Sequence, residues 1–418
     1  MRLLFSLTLA ALLCIVTVNA ADAGDQALFE KRQASKPKQA QIVETAKSDP
    51  VAAAKMVLQI KDIDKTDDGT WNKYANISGN ADAKQVPWAK GVEFQQSPSA
   101  NLVDGESFSN VPKDFYMFER KEWEVKDKHG RNGTQPYYIN KGLNAGKVKR
   151  AVLVVPGYYR DSWNYINMFG NAYNIAKDKH GVEDGTVLIA SLMVLNQKDK
   201  ETGAVKDDWL YYKDGGWSVA GMTHGPGDLS ISSFKLMDMF ISKILGEYPG
   251  IETVVVAGHS LGAQAVMRYA AIKGSSHDDK LKFWIGNPGT YVYLNSKRPL
   301  STDDCASYDD FPNGIDKTDT LPAYAGGKSA DQIRSAYLAR SVTYALGLDD
   351  NGVSSYACDS MAQGHNRLER SAYYIEHLES VNGGSFPSSH HADYLEGLSH
   401  QDYPTIAADV SINRIFIE

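Results

Sequence analysis

Basic clusters are missing from this sequence: no run of Lys or Arg extends beyond a few positions, and the net charge is −7. With a pI near 5.8, the chain has no electrostatic footprint for nucleic acid, and that class is excluded. Cysteine is scarce, with three in 418 residues. Spacings of the CxxC or HxxxH kind are absent, and the adjacent His390 and His391 have no convincing co-ligands nearby, so no metal site is expected. There is no phosphate-binding glycine loop and no internal repeat. Beyond the N-terminus, no apolar run is long enough to cross a bilayer.

What is present reads as an ordinary globular chain, 43% hydrophobic and 23% charged, long enough for one large domain and an extension. Residues 1–20 show a charged start at Arg2, an apolar stretch and small residues at Asn19 and Ala20, the pattern of a secretory signal peptide rather than a stable membrane anchor. The mature protein is therefore expected outside the cell. Cys14 falls in that leader, leaving Cys305 and Cys358 to meet an oxidising compartment, where one disulfide is expected and two free thiols are the alternative. Asn76 and Asn132 head N-x-S/T patterns, possible glycan acceptors that would sit on exposed loops.

Residues 21–50 are rich in Lys, Gln, Ala and Asp and read as a disordered tail or propeptide, with Lys31-Arg32 as a processing candidate. Residues 51–110 form an extension of unassigned role, and 111–418 carry a strand-helix alternation. Apolar, β-branched runs at 150–156 (RAVLVVP), 186–194 (TVLIASLMV), 251–257 (IETVVVA), 281–286 (LKFWIG) and 340–347 (RSVTYALG) suit strands buried on both faces. Between them, 232–245 places Phe234, Met237, Ile241 and Ile244 at helical spacing, with Asp228 and Ser230 as caps and Gly246 beyond its end. The alternation predicts an α/β fold: a mostly parallel central sheet between two layers of helices.

Acyl transfer at neutral pH needs a nucleophile, a base to take its proton, and backbone donors for the developing oxyanion. The segment GHSLG, residues 258–262, follows an apolar strand and opens a helix with Ala263, Val266, Met267 and Ala270 on one stripe. In that context Ser260 reads as the nucleophile of an elbow turn, with His259 as packing. The oxyanion donors would be the N–H of Leu261 and, from the loop PGYYR at 156–160, the N–H of Tyr158, where Gly157 admits a close backbone approach. The acid follows a later strand; the spacing from Gly347 selects Asp350, with Asp349 one residue away as the alternative. The base is His400, in a loop before a final helical pattern, in preference to His390 and His391 in a Ser- and Gly-rich stretch that reads as a mobile loop. This chemistry requires no cofactor.

Together with PYYINKGL, VLVVPGYYRDSW, DGGW, DLSISSFKLMD, VVVAGHSLGAQAVMRYA, GNPGTYVYL and CDSMAQGHNRLER, these residues give a chain that resembles a family of secreted α/β-hydrolases from bacteria and fungi or fungus-like microbes. The resemblance covers most of residues 136–402. It implies the same triad of Ser260, Asp350 and His400, and a pairing of Cys305 with Cys358. Leu261 stands where the family commonly carries a small residue, so GHSLG itself is closer to lipases and esterases. The reaction expected is hydrolysis of a carboxylic ester, small-molecule or polymeric. A peptidase or amidase of the same fold and a catalytically silent binding protein are the competing readings. Trp163, Tyr165, Tyr211, Tyr212, Trp217 and Tyr291 are candidates for an apolar pocket, and residues 303–330 for a cap or lid.

Overall fold

The structure, a computed structural model, describes residues 39–60, 81–99, 102–103 and 107–418. Nine strands form its main sheet: β1 (Asp114–Phe115), β2 (Phe118–Lys126), β3 (Asn132–Asn140), β4 (Arg150–Val155), β5 (Val187–Leu192), β6 (Thr253–His259), β7 (Leu281–Gly286), β8 (Ser341–Gly347) and β9 (His390–Leu395). The order across the sheet is β9-β8-β7-β6-β4-β5-β3-β2-β1. The strands from β4 to β9 run parallel and β1 to β3 are antiparallel. This is the α/β-hydrolase arrangement, with the order reversed between β4 and β5 and with β6, which runs into Ser260, beside β4 near the centre. The five apolar runs become β4 to β8. The helix α2 (Ser162–His180) joins β4 to β5, α3 (Ser233–Glu247) leads into β6, α4 (Leu261–Ile272) follows it, and α5 (Ala330–Ala339) and α6 (Arg367–Val381) flank β8.

The two faces of the sheet bury separate cores. Trp163, Ile166 and Phe169 of α2 pack with Val152, Ile189 and the C-terminal Ile412 and Ile415 on one side. Phe240, Val266, Ile333 and Ile375 from α3, α4, α5 and α6 pack with Leu153, Val256 and Phe283 on the other. Alternate residues of β4 thus serve opposite layers, which is why that strand reads as a continuous apolar run rather than an alternating one.

Several expectations need correction. The proposed tail ends earlier than residue 50: residues 39–46 are helical, α1 (Pro50–Leu58) follows, and Ile42, Val51 and Val57 lie in the α3–α6 core. The covered side of these segments is a narrow stripe that includes alanines 46, 53 and 54, so composition alone looks too polar to fold. His390 and His391 open the edge strand β9 rather than a mobile loop; His390 is buried against the Tyr337 carbonyl at 3.2 Å. Neither Asp228 nor Ser230 caps α3, whose N-cap is Ser232, and Gly246 lies inside the helix, which runs on to Glu247.

Asn132 is exposed at the first residue of β3 rather than on a loop; Asn76, the signal-peptide residues and Lys31-Arg32 lie outside the described residues. Among the described residues no helix is long and apolar enough to cross a membrane.

Cys305 and Cys358 form a disulfide with Cα atoms 5.6 Å apart, closing a loop 53 residues apart in sequence. It fastens the segment after β7 to the short helix Cys358–Met361 that follows the β8 turn. Residues 303–330 are held further by Arg298 on Asp309 at 2.9 Å and Asn313 on Asp359 at 2.9 Å, so the expected lid is a pinned loop. A loop of this length stabilises by about 4 kcal/mol on chain entropy. The double variant Cys305→Ser/Cys358→Ser is therefore expected to melt well below the wild type in calorimetry, while reducing agent lowers only the wild-type Tm.

Candidate active site

β6 ends at His259, Ser260 takes φ 58° and ψ −122°, and α4 begins at Leu261. That left-handed φ is a strained state for a residue with a Cβ. It is held by the Ser260 N–H donating to the Gly286 carbonyl at 2.9 Å. The flanking glycines are needed because the turn is crowded: a Cβ on Gly262 would lie 2.6 Å from the Pro156 carbonyl oxygen, and one on Gly258 2.5 Å from the Gly262 carbonyl oxygen. The serine hydroxyl is thereby lifted out of the strand plane, at the C-terminal edge of the sheet.

Ser260 Oγ donates to His400 Nε2 at 2.9 Å, and His400 Nδ1 donates to Asp350 Oδ2 at 2.8 Å. The second carboxylate oxygen accepts from Arg367 Nη1 at 3.3 Å. Asp350 is only 2% exposed, and these two partners satisfy both of its buried oxygens. The carboxylate beside the histidine is thus Asp350. Asp349 turns away and accepts from Gln39 Nε2 at 2.6 Å, and burial raises its carboxyl above the usual range. The same Gln39 accepts from the Gly397 N–H at 2.8 Å, so residue 39 ties the acid turn to the histidine loop. Asn287 adds a second tie, accepting from the Gly347 N–H at 2.8 Å and donating to the Ser399 carbonyl at 3.0 Å.

His259 stands beside the site, its ring 4.9 Å from that of His400. Both its nitrogens lack partners, and burial, with His400 and Arg367 nearby, holds it well below the usual histidine range. It stays neutral and packs against His400, in keeping with a packing role.

The loop after β4 makes a turn in which the Arg160 N–H donates to the Gly157 carbonyl at 3.1 Å, with Arg160 itself at φ 62°. Gly157 has a further reason to be glycine: a Cβ there would run into the Tyr165 ring, 2.9 Å from its Cζ. Arg160 is buried on Asp199 at 3.3 Å, a carboxylate that also accepts from the Phe108 N–H at 2.9 Å and the Asn196 N–H at 2.7 Å. A buried ion pair therefore holds the loop that presents the Tyr158 N–H. Neither Arg367 nor Asp199 stands out in the sequence. Arg367 is hidden in a charged helix start and Asp199 in the segment QKDKE, both of which look like solvated faces.

Asp161, next in this loop, precedes α2. Although the residue is partly covered, its Oδ1 is cut off from solvent without a partner, and Asn164 Nδ2 donates to Oδ2 at 2.9 Å. Burial pushes this carboxyl up to about 7, with Asp402 adding to the rise. The folded pKa thus exceeds the unfolded value of about 3.9. Between those values the unfolded chain loses its proton first, so stability falls as pH rises to about 7 and then levels. Asp161→Asn is expected to gain about 2 kcal/mol over wild type at pH 8 and almost nothing at pH 4, read from urea unfolding at the two pH values.

Two cavities lie near the elbow, and the outer one reaches it at Leu261. One of about 160 Å³ is open to solvent and lined by Tyr158, Tyr159, Arg160, Asn196, Trp217 and Leu261, among others. The other, of about 50 Å³, is apolar and lies deeper between the ends of β4 and β5 and the helices α3 and α4. Of the aromatic candidates, Trp217 lines both and Tyr212 the inner one. Trp163 and Tyr165 belong to the α2 core and Tyr291 to the opposite one.

No family model and no curated protein matches this sequence. Among solved structures, the chain is similar to poly(aspartic acid) hydrolase-1 from Sphingomonas sp. KT-1, at 16% identity and a TM-score of 0.45, over 71% of this chain and 98% of the other. LpqC, a poly(3-hydroxybutyrate) depolymerase from Bordetella parapertussis, aligns at 18% identity and 0.46, over 71% and 89%. The Pyrococcus furiosus esterase Pf2001 aligns at 11% and 0.38, over 73% and 96%. The strand order described above assigns the chain to the α/β-hydrolase fold.

Proposed function

We propose that this protein is a secreted serine hydrolase that cleaves carboxylic esters through an acyl-enzyme intermediate. The observation that carries the reading is the continuous hydrogen-bond chain from Ser260 Oγ through His400 to Asp350, at 2.9 and 2.8 Å, on a strained elbow. In this reading Ser260 Oγ attacks the ester carbonyl while His400 Nε2 takes its proton and returns it to the leaving alkoxide. Asp350, braced by Arg367, keeps the proton of His400 on Nδ1 and stabilises the imidazolium that forms. The Tyr158 and Leu261 N–H groups stabilise the oxyanion; neither donates to another group in the turn, which leaves both free for that role. Water then repeats the sequence on the acyl-enzyme and frees Ser260. The leader of residues 1–20 and the disulfide support a place outside the cell.

The test compares p-nitrophenyl butyrate with peptidyl p-nitroanilides on the secreted protein. Ester turnover at least 100-fold above amide turnover is expected; the reverse order would assign the chain to the peptidases.

A further inference from the structure

The cavity of about 50 Å³ behind the nucleophile has no part in the mechanism above. It lies at the C-terminal ends of β4 and β5, where ligands bind in parallel sheets of this kind. Its walls are Val155 and Pro156 at the root of the oxyanion loop, Val194 after β5, Tyr212, Trp217, and Ala265 on α4 one turn beyond Ser260. Met237 and Phe240 of α3 close its far side. The polar groups reaching it are few, the most notable being Ser233, whose hydroxyl lacks a partner. An anionic or sugar-like group would find little there to bind.

Trp217 is the shared wall. It lines this cavity and also the outer cleft beside Leu261 and Tyr158, and it packs with Val194, Tyr212 and Ala265 in a small cluster against Val155 and Leu261. The turn that carries it, Gly215–Val219, is fixed from below. Arg268, buried on α4, donates from Nη1 to the Ser218 carbonyl and hydroxyl at 3.4 Å each, and from Nη2 to Gln264 at 2.8 Å. The Gly216 N–H donates to Asp214 Oδ1 at 2.8 Å, and the Gly221 N–H to the Gly216 carbonyl at 2.7 Å. The indole is thus held at the boundary by the same helix that Ser260 begins.

We infer that the inner cavity is an acyl-chain pocket, entered past Trp217, and that it selects esters of short to medium unbranched fatty acids. The inference rests on the proposed ester hydrolysis by Ser260. An acyl carbon held at Ser260, with its oxygen toward Tyr158 and Leu261, has its chain beside Leu261 and Trp217, and the inner cavity continues that path. At about 10–15 Å³ for each water-sized group, the cavity accepts roughly four carbons beyond Trp217. The outer cleft covers the first two or three. Each methylene buried in an apolar site raises binding by about fourfold.

The experiment is a kcat/KM series over p-nitrophenyl esters from acetyl to dodecanoyl, with the wild type, Ala265→Phe and Trp217→Ala. For the wild type the account gives a rise of about fourfold per methylene to about hexanoyl or octanoyl and a fall beyond. Ala265→Phe fills the cavity and lowers the hexanoyl-to-acetyl ratio at least 10-fold. Trp217→Ala widens the entrance and moves the optimum two or more carbons longer. A wild-type series without a length optimum, or an optimum unmoved in both variants, overturns the pocket while leaving ester hydrolysis in place. A length preference found among acetate esters of different alcohols instead would assign the cavity to the leaving group and overturn the acyl assignment. No ester turnover by a folded wild type would remove the underlying function, a result separate from these.

Discussion

Ser260→Ala is expected to lower kcat for p-nitrophenyl butyrate by about 10⁵- to 10⁶-fold, and His400→Ala by nearly as much, because the members of a triad act as one unit. Removing both is expected to cost little more than removing either, which stopped-flow or long-incubation assays can establish. Asp350→Asn leaves the shape of the site intact but allows the wrong imidazole tautomer, so a loss of about 10⁴-fold is expected. Asp349→Asn is the internal control. Its carboxyl meets Gln39 and not His400, so kcat is expected to stay within a few-fold of wild type. A large loss in Asp349→Asn beside a small one in Asp350→Asn would reverse the assignment of the acid.

Gly262→Ala is expected to disturb the fold strongly for a single added methyl group. The new Cβ would meet the Val155 and Pro156 carbonyl oxygens, the latter at 2.6 Å, and both are backbone atoms of the strand end that begins the loop carrying Tyr158. Neither can rotate away, so α4 must shift from β4. Ordinary overpacking of a core costs about 1–3 kcal/mol; with rigid backbone on the facing side, about 3 kcal/mol or more is expected, seen as a fall in Tm or as insoluble protein. Material that does fold should lose about 100-fold in kcat, because Ser260 and the Tyr158 N–H would no longer share one geometry. A variant with wild-type Tm and rate would mean that the elbow is looser than these distances imply.

The parts of the fold that were legible in sequence are those with local causes. Strands β4 to β8 are buried on both faces and so read as apolar runs, and the elbow is a turn whose small residues are adjacent in sequence. The antiparallel edge was less legible. β2, FERKEWEVK, is charged at six of its nine positions and exposed at four of them, and it carries no apolar run to mark it. β9 begins with two histidines after a Ser- and Gly-rich turn, and only its pairing with β8 makes it a strand.

The candidate site divides in the same way. Ser260 and Leu261 follow from one motif. The choice between Asp349 and Asp350 depends on a one-residue turn register, set by the Asp350 N–H donating to the Gly347 carbonyl and the Asp349 N–H to that of Leu398. The distant partner, Leu398, leaves no periodic trace. Gln39 is the extreme case: it lies in what composition marks as a tail, and its two hydrogen bonds span 310 and 358 residues. The irregular segment between β5 and α3 that supplies Trp217 has no single period either, although its aromatic content pointed to a pocket.

The most direct test of the proposed mechanism is labelling of the native secreted protein with a fluorophosphonate, followed by peptide mapping in the mass spectrometer. The account gives one phosphonylated residue, Ser260, with labelling absent in Ser260→Ala and slowed at least 100-fold in His400→Ala. Folded wild-type protein that takes up no label, or takes it up at another residue, would contradict the claim that Ser260 is an activated nucleophile.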